Sequence, residues 1–245
     1  MVDITMKQVK KTTPKGVTRI VTTVVLGTIA LGALAVGYIW FSGGDGRASE
    51  PIAAPSLNIQ PGDSRVLFSI IPEQSEALFR IDEVLLGDTK IVVGTTDRIA
   101  GEMLVDWDDP ANSQLGLIRV NLRTLSTDNE FRDRALRGQI LEADQDKYEF
   151  ADFIPVELLQ LPSSIAVGDS VDFQIRGNLT VHGVTREVIF DATLTIVSNS
   201  HIEGNAQATV RYQDFDMTIP EAPGVAKVSD QVELEISFVA QALVE

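Results

Sequence analysis

Residues 171–196 read VDFQIRGNLTVHGVTREVIFDATLTI, and their reading decides the fold. Val171, Phe173, Ile175, Gly177, Leu179 and Val181 alternate with Asp172, Gln174, Arg176, Asn178, Thr180 and His182. Twelve residues of strict alternation predict a long strand with one buried face. After His182-Gly183 the rhythm resumes, with Val184, Val188, Phe190, Ala192, Leu194 and Ile196 on one face. The two runs predict an extended antiparallel hairpin turning at His-Gly.

The same period recurs on both sides. Ile202, Gly204, Ala206, Ala208 and Val210 share one face of 201–211, and Val232, Leu234, Ile236, Phe238 and Ala240 one face of the last strand. Weaker strands are expected at about 65–71, 76–86, 98–106, 115–123 and 149–159. Long antiparallel strands in that number close on themselves, because closure removes unpaired edges. The expected fold is all-β, eight or nine antiparallel strands closed into a barrel. One segment breaks the rhythm. TDNEFRDRALRGQIL puts Phe131, Ala135, Leu136 and Ile140 on one helical face, and Thr127 with Glu130 forms a capping box. A single helix is expected over about 128–141, plugging or flanking one mouth.

An eight-stranded barrel either fills with its own side chains or holds one small ligand. The inward face includes Gly177, Ala192, Gly204, Ala206 and Ala208, which leave volume unfilled. Phe173, Phe190 and Phe238 on the same face are large enough to fill it, so periodicity alone leaves both outcomes open.

Residues 20–41, IVTTVVLGTIALGALAVGYIWF, hold no charge, and Tyr38, Trp40 and Phe41 cluster at their end. As a helix the run is about 33 Å long, close to the hydrocarbon thickness of a bilayer. Lys7, Lys10, Lys11, Lys15 and Arg19 precede it. The excess of bases on that side places 1–19 in the cytoplasm as a basic tail and the rest of the chain outside it. The apolar run exceeds the roughly 7–15 residues of a cleaved signal's core, and no A-x-A site follows. A retained single-pass anchor over 20–41 is therefore expected, with a cleaved signal as the alternative. Residues 42–63 are rich in Gly, Pro, Ser and Ala and read as a flexible linker to a barrel domain over 64–245.

The net charge is −15, of which residues 1–41 carry +4, so residues 42–245 carry −19. That acidity excludes nucleic acid as a partner and disfavours anionic membrane surfaces. The chain has no cysteine, which removes disulfides, thiolate metal sites, cysteine nucleophiles and a lipidated-cysteine anchor. Two histidines, His182 and His201, on separate strands cannot supply a zinc site without carboxylates. Asp106, Asp108 and Asp109 near Pro110 match no EF-hand spacing and read as a hairpin tip. No metal, cofactor or catalytic constellation is predicted. His182 has three readings: a hairpin corner, a contact for a polar head group, or a general base, the last lacking an identified nucleophile. Arg132, Asp133, Arg134 and Arg137 read as a solvated helical face, or as bringing one arginine to the mouth to meet an anionic head group.

Four stretches together resemble the YceI-like family: TLSTDNEFRDRALRG, DKYEFADF, GNLTVHGVTREVIFDATL and the closing strand after VSDQVELEISF. The resemblance spans about residues 64–243. Two stretches carry most of it: Asn129, Arg132 and Asp133, and the hairpin Gly177, Leu179, Thr180, His182, Gly183, Val184 and Thr185. It implies an extended eight-stranded antiparallel lipocalin-like barrel that holds a polyisoprenoid or similar amphiphilic lipid outside the cytoplasm. Carried onto this chain, Phe173, Ile175, Gly177, Leu179, Phe190, Ala192, Gly204, Ala206, Ala208 and Phe238 would line the lumen. Asn129, Arg132 and His182 would face the head group. Most members are soluble and secreted, whereas this chain is expected to be tethered. The alternative is an extracytoplasmic stress or interaction module, its barrel filled, whose hairpin and helix bind a protein. An unrecognised hydrolase is a third, weaker reading.

Overall fold

The computed structural model describes residues 34, 37–38, 41–60, 62–85, 87–220 and 225–243. The basic tail 1–19 lies outside the described residues, as does most of the 20–41 run; Leu34, Gly37, Tyr38 and Phe41 of that run are helical. No helix among the described residues is long and apolar enough to cross a membrane.

From residue 66 onward the chain is a meander of antiparallel strands. They are β1 (Val66–Ile70), β2 (Glu76–Leu85), β3 (Asp88–Thr96), β4 (Ile99–Ala100), β5 (Glu102–Val105), β6 (Gln114–Leu115), β7 (Ile118–Asn121), β8 (Phe150–Leu159), β9 (Ser170–Val181), β10 (Val184–Ser198), β11 (His201–Arg211), β12 (Val225–Val228) and β13 (Gln231–Ala242). β1 and β2 are one run broken by a 3-10 turn at Pro72–Gln74, where proline has no N–H for the ladder. Ser75 mends the break: its Oγ donates to the Ile71 carbonyl at 2.8 Å and accepts from the Val239 N–H at 3.1 Å. β3, β4 and β5 form a second run. It bends at Gly101, where a Cβ would lie 2.3 Å from the Ile118 side chain.

Taken as runs, the pairings form a closed circuit. β1 and β2 pair with β5 and β3 on one side and with β13 on the other. β4 and β5 pair with β7 and β6, and β7 pairs with β8. From there β8, β9, β10, β11 and β13 follow in order, with irregularities at Pro155–Glu157 and Ile196–Ser198. The ring thus has eight walls. β12 lies outside it, against β2. Sequence periodicity missed β3, because its inward face carries Gly94 and Thr96 while Ile91 and Val93 point to solvent.

Antiparallel order sends alternate connections to opposite ends. One end collects the β2–β3 turn, the β7–β8 crossover, the β9–β10 hairpin and the long β11–β13 connection. The other collects the β5–β6, β8–β9 and β10–β11 turns. Asp106 organises the second end: its buried carboxylate accepts the N–H groups of Asp108 and Asp109 at 3.1 and 3.0 Å.

The helix is shorter than its hydrophobic pattern predicts. α1 covers Glu130–Ala135 and continues as a π-turn over Leu136–Ile140. Asn129, not Thr127, caps it, its side-chain oxygen accepting from Phe131 N and Arg132 N at 3.0 and 3.1 Å. Thr127 is drawn off by Asp133, to which its Oγ1 donates at 2.6 Å. The widened turn still delivers Phe131, Ala135, Leu136 and Ile140 to one side, facing the barrel interior.

Within 42–63, the stretch expected as a linker, backbone groups bond to the barrel domain. Leu57 N donates to Glu102 at 2.7 Å and Ser49 N to Glu149 at 2.9 Å. Gly43 is buried under the π-turn, where a Cβ would fall 2.3 Å from the Arg134 carbonyl oxygen. Gly43 serves close approach rather than flexibility, two uses that a sequence does not separate.

Candidate lipid-binding lumen

Inside the ring lies a cavity of about 1060 Å³. Its side walls are apolar because strand alternation aims one face of every wall inward. Phe173, Ile175, Leu179, Phe190, Ala192, Ala206 and Phe238, all expected in the lumen, line it. Ala192 and Ala206 pair across β10 and β11 and together thin the wall at one place. So small inward residues do leave space, but only as alanines.

Gly177, Gly204 and Ala208 do not line the cavity. At Gly204 the ring of its cross-strand partner Phe238 sits 2.4 Å from where a Cβ would be. The Phe153 ring does the same over Gly177 at 2.5 Å, and Phe79 over Gly94 at 2.2 Å. Each glycine seats an aromatic ring against the sheet, which converts the missing side chain into wall rather than void. Ala208 packs into the surrounding core opposite Leu234.

At the end covered by α1, the lining turns polar with Glu83, Asn129, Arg132 and Gln139. Asn129 spends its oxygen on the helix cap. Arg132 reaches Glu83 at 3.0 Å and Asp128 at 2.5 Å, so two carboxylates answer one guanidinium. Glu83 is 8% exposed and was not singled out from the sequence. The available signal was its place on the inward face, after Ala77, Phe79 and Ile81, where an acid interrupts an apolar alternation.

His182 does not reach the lumen. It and Gly183 have φ of 51° and 74°, as a two-residue turn with positive φ at both positions requires. The imidazole packs on Tyr148 with ring centroids 4.5 Å apart, and its Nε2 lies 3.7 Å from Glu142 Oε1. Both ring nitrogens are buried without a hydrogen bond among the described residues. Of its three readings, this placement fits the hairpin corner.

Beside the mouth a buried polar knot fixes the crossover. Glu149, 1% exposed, accepts from Asn121 Nδ2 at 2.7 Å and Ser49 N at 2.9 Å, and lies 3.2 Å from Arg123. Burial alone would raise its pKa, but the bonds from Ser49 and Asn121, with Arg123 alongside, outweigh that and hold the carboxyl below its usual range. Arg137, also buried, donates to the Gly43 carbonyl at 2.9 Å, and burial lowers its pKa.

The family model of the YceI-like domain matches residues 68–240. The chain belongs to the YceI-like family. Relatives include UPF0312 proteins of Enterobacter sp. (strain 638), 28% identical over 149 residues, and of Pectobacterium carotovorum, 28% identical over 150. Each match covers 59% of this chain and 70% of the relative. Two solved structures share the fold with TM-scores of 0.56 at 14% identity: Burkholderia cenocepacia BcnA, and a polyisoprenoid-binding domain from Saccharophagus degradans implicated in plant cell wall breakdown. They cover 70% and 73% of this chain and 99% of their own. The YceI-like core thus begins after the 42–60 strap, and the chain carries that strap and the apolar run as additions to it.

Proposed function

We propose that this YceI-like protein is a non-enzymatic binding protein that holds a polyisoprenoid or similar amphiphilic lipid in its barrel. The observation that carries this reading is the apolar cavity of about 1060 Å³ running from the α1 end to the opposite turns. Ligand pockets commonly measure roughly 300–1,000 Å³, so this one suits a long chain better than a compact metabolite. Each buried methylene contributes about 0.8 kcal/mol, enough to retain an isoprenoid by apolar contact alone. The fold shared with a polyisoprenoid-binding domain supports the same class. The alternative of a filled barrel has the cavity against it.

The mouth refines the head group. Arg132 is already matched by Glu83 and Asp128, so the rim offers no net positive charge to a phosphate. An uncharged head, such as a prenyl alcohol, fits better than a diphosphate. The uncharged run 20–41 and the basic residues before it support a single-pass anchor that leaves the barrel extracytoplasmic.

Mass spectrometry of organic extracts of the purified protein tests the function. A co-purifying amphiphile, or saturable uptake of added prenyl alcohol in preference to prenyl phosphate, is expected. No extractable lipid together with no uptake of either compound overturns it.

A further inference from the structure

A 22-residue flexible linker would let the barrel drift about 25 Å from its anchor with its mouth facing any direction. The structure leaves no such slack. Helical Ser42 passes directly into Gly43, which is clamped beneath the π-turn that caps the mouth. Arg137 Nε donates to the Gly43 carbonyl at 2.9 Å, and Arg134 Nη1 to the Gly44 carbonyl at 3.1 Å. Across the contact, a Cβ on Gly138 would meet the Ser42 carbonyl carbon at 2.8 Å. Tyr38, one helical turn earlier, lines the cavity itself. The uncharged run 20–41 therefore ends against the α1 end of the barrel and not against its sides or the opposite turns.

The rim there is built for contact. Phe131 lines the cavity yet remains 38% exposed, and Tyr38 and Phe41 are 66% and 86% exposed. Aromatic side chains around an opening, beside a segment long enough to span a bilayer, match the composition of a membrane–water interface. We propose that the barrel docks mouth-first on the bilayer entered by its own N-terminal segment, so that the lumen opens onto the lipid surface. Ligand then passes between membrane and lumen without crossing water. The strap 42–46 is the orienting device, and it replaces tether freedom with one fixed attitude. The occupant of the rim is the lipid surface, since the rigid connection brings that surface to it. The proposal rests on the anchor and lipid-binding readings above.

The chain has no cysteine, so single-cysteine variants report cleanly. Full-length F131C, at the rim, and V167C, exposed in the β8–β9 turn at the far end, would carry a polarity-sensitive fluorophore in phosphatidylcholine vesicles. A fraction of the lipid bears a head-group nitroxide. Quenching several-fold stronger at 131 than at 167 is expected, and a G43V exchange that breaks the clamp should reduce the contrast. Equal quenching at the two positions overturns the proposal. So does a 131 label that neither the nitroxide lipid nor an aqueous quencher reaches, since the chain's own residues 20–33 would then occupy the rim. Extracting the unlabelled full-length protein for bound amphiphile before it is added to vesicles keeps the two readings apart. Ligand with equal quenching refutes the orientation alone, and an oriented barrel that takes up no lipid refutes the ligand reading alone.

Discussion

Arg132 on α1 reaches Glu83 on β2 across the mouth of the barrel, Nη2 to Oε1, at 3.0 Å. The pair links the helix that covers the lumen to the wall it covers. Glu83 is nearly buried, so the contact is shielded more than a surface ion pair. E83Q removes the charge and keeps the shape. If a charge-assisted bond of this kind is worth about 1–2 kcal/mol to the covered state, release of a fluorescent prenyl probe should quicken by roughly tenfold. R132A should act in the same direction, and the double variant should fall well short of the sum, because both remove one link. Stopped-flow release against unlabelled lipid measures all three. Unchanged rates in E83Q would leave the helix held by its apolar face alone.

The Gly204–Phe238 pair makes a second case. G204A would place a Cβ 2.4 Å from the Phe238 ring, and the ring has only the lumen to move into. Overpacking of this sort costs about 1–3 kcal/mol. The denaturation midpoint should fall, with the denaturant slope unchanged. G204A combined with F238L should recover much of the loss. Failure of the second exchange to recover any would place the strain elsewhere in β11.

The hairpin 171–196 was fully legible because both of its faces follow the period of a strand, and the ring followed from repeating that pattern. What the sequence could not disclose were relations between distant residues. Gly204 and Gly177 read as voids because their ring-bearing partners lie on other strands or two positions along. Arg132 read as a cation for a head group because Glu83 is 49 residues away. His182 alternates with the inward residues and carries a family motif, yet the turn's positive φ swings it onto Tyr148. The strap 42–60 read as linker because glycine composition is the same for slack chain and for close packing.

Glu149 gives the protein an acid-sensitive seam. Its folded pKa lies below the usual value of 4.5, so its contribution is complete above that value. The contribution is lost as pH falls through the folded pKa, in the acid range below 4.5. Wild type should therefore lose melting temperature steeply below about pH 4.5, and proteolysis within 44–60 should rise in step, because Ser49 hangs on the same carboxylate. E149Q should begin lower, by about 1–3 kcal/mol for a disrupted buried bond set, and show a flatter profile over that range. A variant with the wild-type slope would assign the acid loss to other carboxylates.

The lumen itself is tested where its wall is thinnest. Ala192 and Ala206 face each other across β10 and β11, and both line the cavity. A206F directs a ring into empty space rather than into packed core, so the cost in stability should stay below about 1.5 kcal/mol, within the range of tolerated core exchanges. Capacity should suffer far more, since the added ring occupies the path of the chain. Isoprenoids of increasing length, titrated against wild type and A206F, should show long chains losing affinity while the shortest still bind. I189F, on the outward face of β10, controls for the added bulk and should bind all lengths as wild type does. Unchanged affinity at every length in A206F would mean that the chain does not thread past Ala206. The ligand would then lie wholly on the α1 side, with its tail stopping short of the β10–β11 pair.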